Sequence, residues 1–353
     1  MIFLAEAFDS LGNLMARRNY RPLEAENQKS PVVKHRRQTT GWPVTVKSLS
    51  VAPCLSCGKY LMNDISFFAN NEYSQLLTVC LRLPGAISYD PTQRQSSVLE
   101  RQKKHYDFLP YDPQIVRTQL IKLADILVEN DISVIMIDNT CNYPAQHFPR
   151  DTGFVIGDTL FLSQLKSAIR QGETVALVSL FGNREDVHVL NSGTIEGGDV
   201  MLDKDIVYVG LSQETSHSGV KSLERALKKR NIDTEIIPIN FSHGGVLHLD
   251  TVFNIVAPQT ALIQLSAFNN SAIKRLEARF DLIPVSEIES RNMEVNTLSI
   301  NPHTVLVRQE SPRIAAQLKQ RNMTVLFTDF SEVCKMPGSF RCCSLPLQRK
   351  SSF

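Results

Sequence analysis

The sequence predicts an α/β protein built from a repeated unit, and two observations support this fold class. An amphipathic helix followed by a short apolar strand recurs along the chain, and further short strands fill the gaps. The copies are separated by roughly 40 to 60 residues, a spacing typical of propellers and repeat arrays. A doubly wound parallel sheet is the competing architecture. Its dinucleotide-binding form lacks support, because no Gly-x-Gly-x-x-Gly motif follows the first predicted strand.

The first copy of the unit begins with a predicted strand at 77–83, which Pro84 ends. Asp112 is the predicted N-cap of the next helix, and Pro113 suits its first position. One face of this helix is apolar and consists of Val116, Leu120, Leu123 and Leu127. Asn130 ends the helix, and a buried strand is predicted at 134–137.

Later copies repeat the order of helix and strand. The predicted pairs are a helix at 220–231 with a strand at 236–237, 273–280 with 282–283, and 311–322 with 325–327. The gaps contain predicted strands at 206–209 and 303–307. The apolar run at 175–178 is also interpreted as a strand, located between the first two copies.

The composition is that of an ordinary globular protein, with 42% apolar and 21% charged residues. A net charge of +2 gives no general attraction to nucleic acid or to an anionic membrane, so neither is an expected partner. No stretch approaches the ~20 apolar residues of a membrane span. The apolar start of the chain is interrupted by Glu6 and lacks the basic start of a secretory signal. We therefore expect a cytoplasmic protein.

Residues 1–70 differ from the remainder, because they carry a basic run at 34–37 and few sustained apolar periods. We predict a poorly ordered N-terminal extension there and one α/β domain over 71–353. The seven cysteines are an odd number and do not indicate a disulfide framework. Cys54 and Cys57 have zinc-ligand spacing but no matching second pair, so we interpret them as loop cysteines and predict no metal site.

Side chains capable of catalysis occur in four motifs. These are Phe148-Pro149-Arg150-Asp151, Glu196-Gly197-Gly198-Asp199, Leu247-His248-Leu249-Asp250 and Cys342-Cys343. The pattern around His248 predicts a strand on which Val246, His248 and Asp250 share one face, with His and Asp roughly 7 Å apart. Each motif also has a structural interpretation: a buried cysteine, a core histidine, a tight turn or a solvated acid. Together they supply a thiol, an imidazole and acids, which could bind a guanidinium cation and attack its carbon.

In this order the motifs resemble the guanidine-modifying superfamily of arginine deiminases and dimethylarginine dimethylaminohydrolases. The resemblance covers roughly residues 76–348, and its most specific parts are His-Leu-Asp-Thr-Val-Phe and Glu-Gly-Gly-Asp. It implies the pentein fold, a five-bladed α/β propeller of ββαβ units around a central site. The segment between Asp151 and Cys342 is short, as in the dimethylarginine hydrolases. The motifs that contain Asp151 and His248 are instead similar to those of the deiminases.

The resemblance implies a role for each catalytic residue. Cys342 would be the nucleophile and His248 the general acid and base. Glu196 would orient the imidazole and bind the guanidinium. Asp151 and Asp250 would hold the guanidinium nitrogens.

The resemblance also implies substrate contacts. Arg170, ahead of Glu173, matches an arginine that binds the substrate carboxylate, and Phe148 is a further predicted contact. In the family a second such arginine occurs in Gly-x-Ser-x-Arg-Thr, but residues 210–215 of this chain have Glu214 at that position. Because Glu214 would repel a carboxylate, the sequence disfavours free arginine and favours a substrate that lacks this group or carries an amine there. The alternative is that Glu214 turns to solvent and Arg170 is the sole contact of a substrate carboxylate.

The function implied is hydrolysis of a small guanidino substrate to a ureido product and ammonia or an alkylamine, through a covalent intermediate on Cys342. No metal or organic cofactor is expected. One alternative is an amidinotransferase, which would use the same residues to pass the amidino group to an amine. Another is a non-catalytic protein that binds guanidino compounds. The sequence leaves the oligomeric state open, including a homo-oligomer.

Overall fold

A computed structural model describes residues 65–85, 111–137, 143 and 145–351. In chain order the strands are β1 Leu76–Arg82, β2 Ser133–Ile137, β3 Gly153–Ile156, β4 Thr159–Leu162, β5 Val187–Val189, β6 Val200–Asp203, β7 Ile206–Gly210, β8 Glu235–Ile239, β9 Phe253–Ala257, β10 Thr260–Ile263, β11 Asp281–Pro284, β12 Leu298–Asn301, β13 Thr304–Arg308, β14 Thr324–Thr328 and β15 Leu345–Arg349. The helices are α1 Pro113–Glu129, α2 Val175–Phe181, α3 His217–Lys229, α4 Asn270–Glu277, α5 Glu287–Arg291 and α6 Pro312–Lys319.

The strands of the described residues form five separate three-stranded sheets. In each sheet the middle strand pairs antiparallel with one neighbour and parallel with the other. A helix joins the middle strand to its parallel partner, because parallel neighbours require a crossover connection. The last strand, β15, completes the sheet of β1 and β2. This arrangement confirms the five-bladed α/β propeller and excludes the doubly wound sheet.

Helix α1 shows how closely the local sequence specifies the unit. The Asp112 carboxylate accepts a hydrogen bond from Gln114 N at 2.8 Å, as an N-cap should. Pro113 occupies the first turn, and the helix ends at the C-cap Asn130. Its predicted apolar face is completely buried. Burial of this face, rather than helix propensity alone, holds α1 against its sheet.

The strand predicted at 175–178 is wrong, because these residues begin helix α2. A turn of 3-10 helix at Gln171–Thr174 leads directly into it. The buried side chains are Leu177 and Phe181, four residues apart, which is helical spacing rather than the alternation of a strand. The strand that joins β3 and β4 in this sheet is β5, further along the chain. A run of four apolar residues is too short to show a periodicity, so it could not distinguish a helix from a strand.

The described chain starts beside the first sheet. Phe68 N donates to Leu347 O at 3.0 Å, and Arg349 N donates to Phe68 O at 2.7 Å. Residues 1–64 of the extension predicted at 1–70 lie outside the described residues, as do Cys54 and Cys57, so the predicted domain boundary remains a prediction. Among the described helices, none combines the length and apolar character needed to cross a bilayer.

Candidate active site

The site is built from the segments that precede the first strand of each sheet. Turns of 3-10 helix at Pro149–Thr152, Gly197–Asp199 and Leu249–Thr251 precede β3, β6 and β9 and pack against one another. Each turn carries an aspartate. Asn296 and Cys342 stand at comparable places before β12 and β15. The repeat therefore brings motifs that are distant in sequence to one location.

The strand predicted through His248 is wrong. His248 itself is extended, with φ −140° and ψ 159°, but the chain then turns into the 3-10 segment at Leu249–Thr251. Leu249 N donates to an Asp199 carboxylate oxygen at 2.8 Å, and the Thr251 hydroxyl donates to His248 O at 2.7 Å. These hydrogen bonds between side chain and backbone replace the hydrogen bonds to a neighbouring strand that a β-strand would need. As a result, His248 and Asp250 do not share a face and contact different groups.

His248 lies between two carboxylates and is 1% exposed. Its Nε2 is 3.0 Å from Glu196 Oε2, and its Nδ1 is 3.7 Å from Asp151 Oδ1. Burial by itself lowers the pKa of His248, but the negative charge of Asp151 and the bond to Glu196 outweigh burial and hold that pKa well above its usual value. The two carboxylates therefore favour the protonated imidazole.

Gly198 explains why the His248 ring can approach Asp151. A Cβ at this position would lie 2.8 Å from His248 Cγ and Nδ1 and 3.0 Å from Asp151 Oδ1. Real Cβ atoms do not approach other atoms so closely, so a side chain here would force the two groups to move. The glycine of the Glu-Gly-Gly-Asp motif is thus required by packing at the site itself.

We expect Gly198→Ala to lower kcat/KM by roughly 100-fold, because displacing catalytic groups by about 1 Å has effects of this size. The matched control is Gly244→Ala, since a Cβ at Gly244 meets nothing within 4 Å. Steady-state kinetics on both purified variants, with thermal unfolding to check folding, make the comparison. Equal activity of the two variants would show that the contact between Gly198 and His248 is unimportant.

Cys342 is held by Asn296, which the sequence interpretation did not identify. Asn296 Nδ2 donates to Cys342 Sγ at 3.1 Å, and Asn296 Oδ1 accepts from Cys342 N and Ser339 N at 3.0 Å each. The sulfur also lies 3.5 Å from Asp250 Oδ2. Burial, followed by the charges of Asp250 and Asp151, raises the pKa of Cys342 well above that of a free thiol. The resting sulfur is a neutral thiol.

Asp151 and Asp250, the two acids predicted to bind the guanidinium, each accept hydrogen bonds through only one carboxylate oxygen. Asp151 Oδ2 accepts from Arg170 Nη1 at 3.0 Å, and Asp250 Oδ2 accepts from Arg341 Nη1 at 2.8 Å. Asp151 Oδ1 and Asp250 Oδ1 are buried and have no hydrogen-bond partner among the described residues. Buried acceptors without donors are costly, so these oxygens are suited to the N–H groups of a ligand.

Arg341 and Glu72 form a buried ion pair behind Asp250 that was also missed. Arg341 Nη2 donates to Glu72 Oε1 at 3.1 Å and to Val200 O at 2.7 Å. Burial raises the pKa of Glu72, but Arg341 and Arg150 outweigh it and lower that pKa to about 2. Arg341 directly precedes Cys342 in the sequence. Its guanidinium fixes one oxygen of Asp250 and leaves the other free.

The other predicted substrate contacts lie in or beside this cluster. Arg170 is 2.9 Å from Glu173 Oε2 and 3.8 Å from Glu196 Oε2, in addition to its bond with Asp151. Phe148 is buried against Gly338, where a Cβ would lie 2.5 Å from its ring, and so supports the loop that leads to the cysteine.

Residues 100–349 match the family described as eukaryotic N,N dimethylarginine dimethylhydrolase. The chain belongs to this family. It is 36% identical over 279 residues to the uncharacterized protein YkgA of Bacillus subtilis, covering 79% of this chain and 94% of YkgA.

More distant relatives of this dimethylarginine dimethylhydrolase family member include other guanidine-modifying proteins. It is 26% identical over 253 residues to an arginine deiminase of Streptococcus gordonii, covering 59% of this chain and 61% of that protein. It therefore spans about three fifths of the deiminase. SxtG, an amidinotransferase of Microseira wollei, has a similar solved structure with a TM-score of 0.69 at 18% identity, covering 81% of this chain and 98% of SxtG. These likenesses support the pentein fold.

The dimethylarginine dimethylhydrolase fold also brings together a group of side chains that could ligate a cation. Ligand atoms of Asp151, Glu196 and His248 lie within 4.8 Å of one another. Arg170 already supplies a positive charge at 3.0 Å from Asp151. His248 would have to lose its proton to bind a metal, and its raised pKa opposes that loss. A fixed guanidinium and an imidazolium thus balance these acids.

Proposed function

We propose that this protein is a cysteine-dependent hydrolase that converts a guanidino group into a ureido group. The observation that carries this proposal is a pair of buried oxygens, Asp151 Oδ1 and Asp250 Oδ1, that accept no hydrogen bond from the described residues and lie beside a thiol and an imidazolium. A guanidinium is planar and offers several N–H donors in fixed directions, which suit carboxylates on two of its edges. Membership in the dimethylarginine dimethylhydrolase family supports this substrate chemistry.

Binding also activates the nucleophile in this proposal. The charges of Asp250 and Asp151 help to keep the Cys342 thiol protonated. A bound guanidinium would offset both charges and favour the thiolate. Asn296 holds the sulfur in one position through its bond at 3.1 Å. The substrate therefore meets a nucleophile that is positioned beforehand and ionised on binding.

The reaction proceeds in two halves. The Cys342 thiol loses its proton to solvent when the guanidinium binds, and Sγ forms a bond to the guanidinium carbon. His248 gives its proton to the departing nitrogen as the C–N bond breaks, releasing ammonia or an alkylamine. Water then attacks the carbon of the amidino-thioether intermediate, and His248 takes one proton from that water. As the C–S bond breaks, the second proton of the water returns to the sulfur and the ureido product leaves. Because Nε2 is bound to Glu196, Nδ1, which faces Asp151, is the proton-donating nitrogen.

An amidinotransferase is the alternative, favoured by the structural similarity to SxtG. The two reactions share the first half and differ in whether water or an amine attacks the intermediate. The test is to incubate the protein with guanidino substrates, with and without an acceptor amine, and to identify the products. A ureido product in both mixtures supports hydrolysis. A new guanidine formed only when the amine is present would instead establish transfer.

A pH experiment tests the activation step. Because the pKa of Cys342 is raised, a neutral alkylating reagent should modify it slowly at pH 7 and faster as pH rises. A bound guanidinium inhibitor too small to cover the sulfur should shift this rise to lower pH. Peptide mapping after timed alkylation measures Cys342 alone. If the inhibitor left the profile unchanged or moved it to higher pH, the activation step would be incorrect.

A further inference from the structure

A third acid at the site, Glu214, is buried and only partly satisfied. It is 2% exposed, and its Oε1 has no hydrogen-bond partner among the described residues. Burial, followed by the neighbouring charge of Glu196, raises the pKa of Glu214, so the two carboxyl groups are close enough to repel. An unpartnered buried acceptor beside another acid is unfavourable unless a ligand supplies a donor or a cation.

The backbone keeps Glu214 in this place. Glu214 N donates to Ser212 Oγ at 3.0 Å, and the same hydroxyl donates to Asp199 Oδ2 at 2.5 Å. The next residue, Thr215, accepts from Glu196 N through its hydroxyl at 3.2 Å. The segment is therefore bonded on both sides to the Glu-Gly-Gly-Asp motif, and Glu214 is part of the site.

The two basic side chains in this part of the site have different partners, since Arg170 contacts acids and Lys166 contacts a backbone carbonyl. The Arg170 guanidinium contacts Glu173, Asp151 and Glu196 at 2.9, 3.0 and 3.8 Å. Lys166 lies on the exposed rim, where its ammonium donates to Gln213 O. Arg170 therefore balances acids of the protein, which argues against the substrate-carboxylate contact that the resemblance implied.

The charges around Glu214 leave an excess of negative groups. The carboxyl groups of Asp151, Glu173, Glu196, Asp199 and Glu214 outnumber the cationic groups that face them, which are Arg170, His248 and Lys166. A bound guanidinium would offset part of this negative charge. A second cationic group on the same substrate would offset more of it, whereas a carboxylate would add to the repulsion.

We infer that the substrate is a guanidino compound whose far end carries an ammonium group and no carboxylate, and that Glu214 binds this ammonium. This inference rests on the proposed function, because it identifies the second end of the same substrate. It explains why a buried glutamate stands where the resembling proteins have an arginine. In this inference Glu214 determines which substrate is preferred, and Cys342 and His248 catalyse the reaction.

Four probes of similar length separate the possibilities: agmatine with an ammonium end, butylguanidine with an apolar end, 4-guanidinobutyrate with a carboxylate end, and arginine with both charges. We expect kcat/KM for agmatine to exceed that for butylguanidine roughly tenfold or more, as for a hydrogen bond to a charged group. The values for 4-guanidinobutyrate and arginine should be lower still. A wild-type preference for either carboxylate-bearing probe would overturn the inference.

Variants make the assignment to Glu214 specific. Glu214→Gln should reduce the ratio of agmatine to butylguanidine at least roughly tenfold, whereas Glu224→Gln, on the exposed face of α3, should leave the ratio unchanged. An unchanged ratio in Glu214→Gln, with normal folding, would overturn the role of Glu214. If no probe yields a ureido product, the proposed hydrolysis fails together with this inference, whereas turnover with the wrong preference refutes the inference alone.

Discussion

Replacing Cys342 by alanine is expected to abolish turnover, with a loss of roughly 10⁴-fold or more in kcat, because removing a nucleophile eliminates the covalent route. The substitution removes one sulfur atom from a site that Asn296 and the surrounding core hold in place, so the fold should persist. Guanidino substrate should still bind, since Asp151 and Asp250 remain. Product formation and substrate binding, measured separately, should therefore respond differently.

Cys343 provides the matched control for this experiment. It is the adjacent residue, is also buried, and belongs to the same apolar cluster. Cys343→Ala should cost some stability but keep most of the activity. If Cys343→Ala lost activity as completely as Cys342→Ala while remaining folded, or if Cys342→Ala kept turning over, the nucleophile would be wrongly assigned.

The second large effect is expected at His248. His248→Gln should lower kcat by roughly 10²- to 10⁴-fold, the usual contribution of a positioned general acid and base. Glutamine keeps a polar group near Glu196 but cannot deliver a proton. His303→Gln is the control, since His303 is exposed in the turn between β12 and β13. Comparable losses in the two variants would remove His248 from the mechanism.

The pH dependence gives a second readout of the same residue. His248 must be protonated to release the leaving amine, so activity should fall as pH rises through its pKa. Asp151 and Glu196 raise that pKa, which places this fall at higher pH than for an ordinary histidine. Glu196→Gln removes one of the negative charges that raise the pKa of His248. The fall in activity at high pH should therefore occur at lower pH in this variant. A profile that stays in place would mean that Glu196 does not set the protonation of His248.

Local sequence specified most of the repeat because each unit repeats the same local signals. The N-cap Asp112, Pro113 and the apolar spacing of α1 predicted a helix that the structure confirms. The failures occurred where the local pattern was short or misleading. The apolar run at 175–178 had no period, and the alternation around His248 imitated a strand although side-chain bonds from Asp199 and Thr251 shape a turn there.

The site could be predicted only in part, because many of its contacts join residues that are distant in sequence. The motifs identified the thiol, the imidazole and the acids. They did not reveal Asn296, whose amide holds Cys342 across 46 positions of sequence. Nor did they show that Arg341, itself paired with Glu72, binds one oxygen of Asp250, or that Arg170 contacts several acids. A signal for Asn296 existed, since it precedes β12 just as the site acids precede β3, β6 and β9.

The most direct test of the account is to quench the wild-type protein in acid during turnover of a guanidino substrate and to map the modified peptide by mass spectrometry. The account predicts an amidino adduct on Cys342 that decays as ureido product forms. An adduct on another residue, or steady turnover with no covalent species at any time, would contradict it.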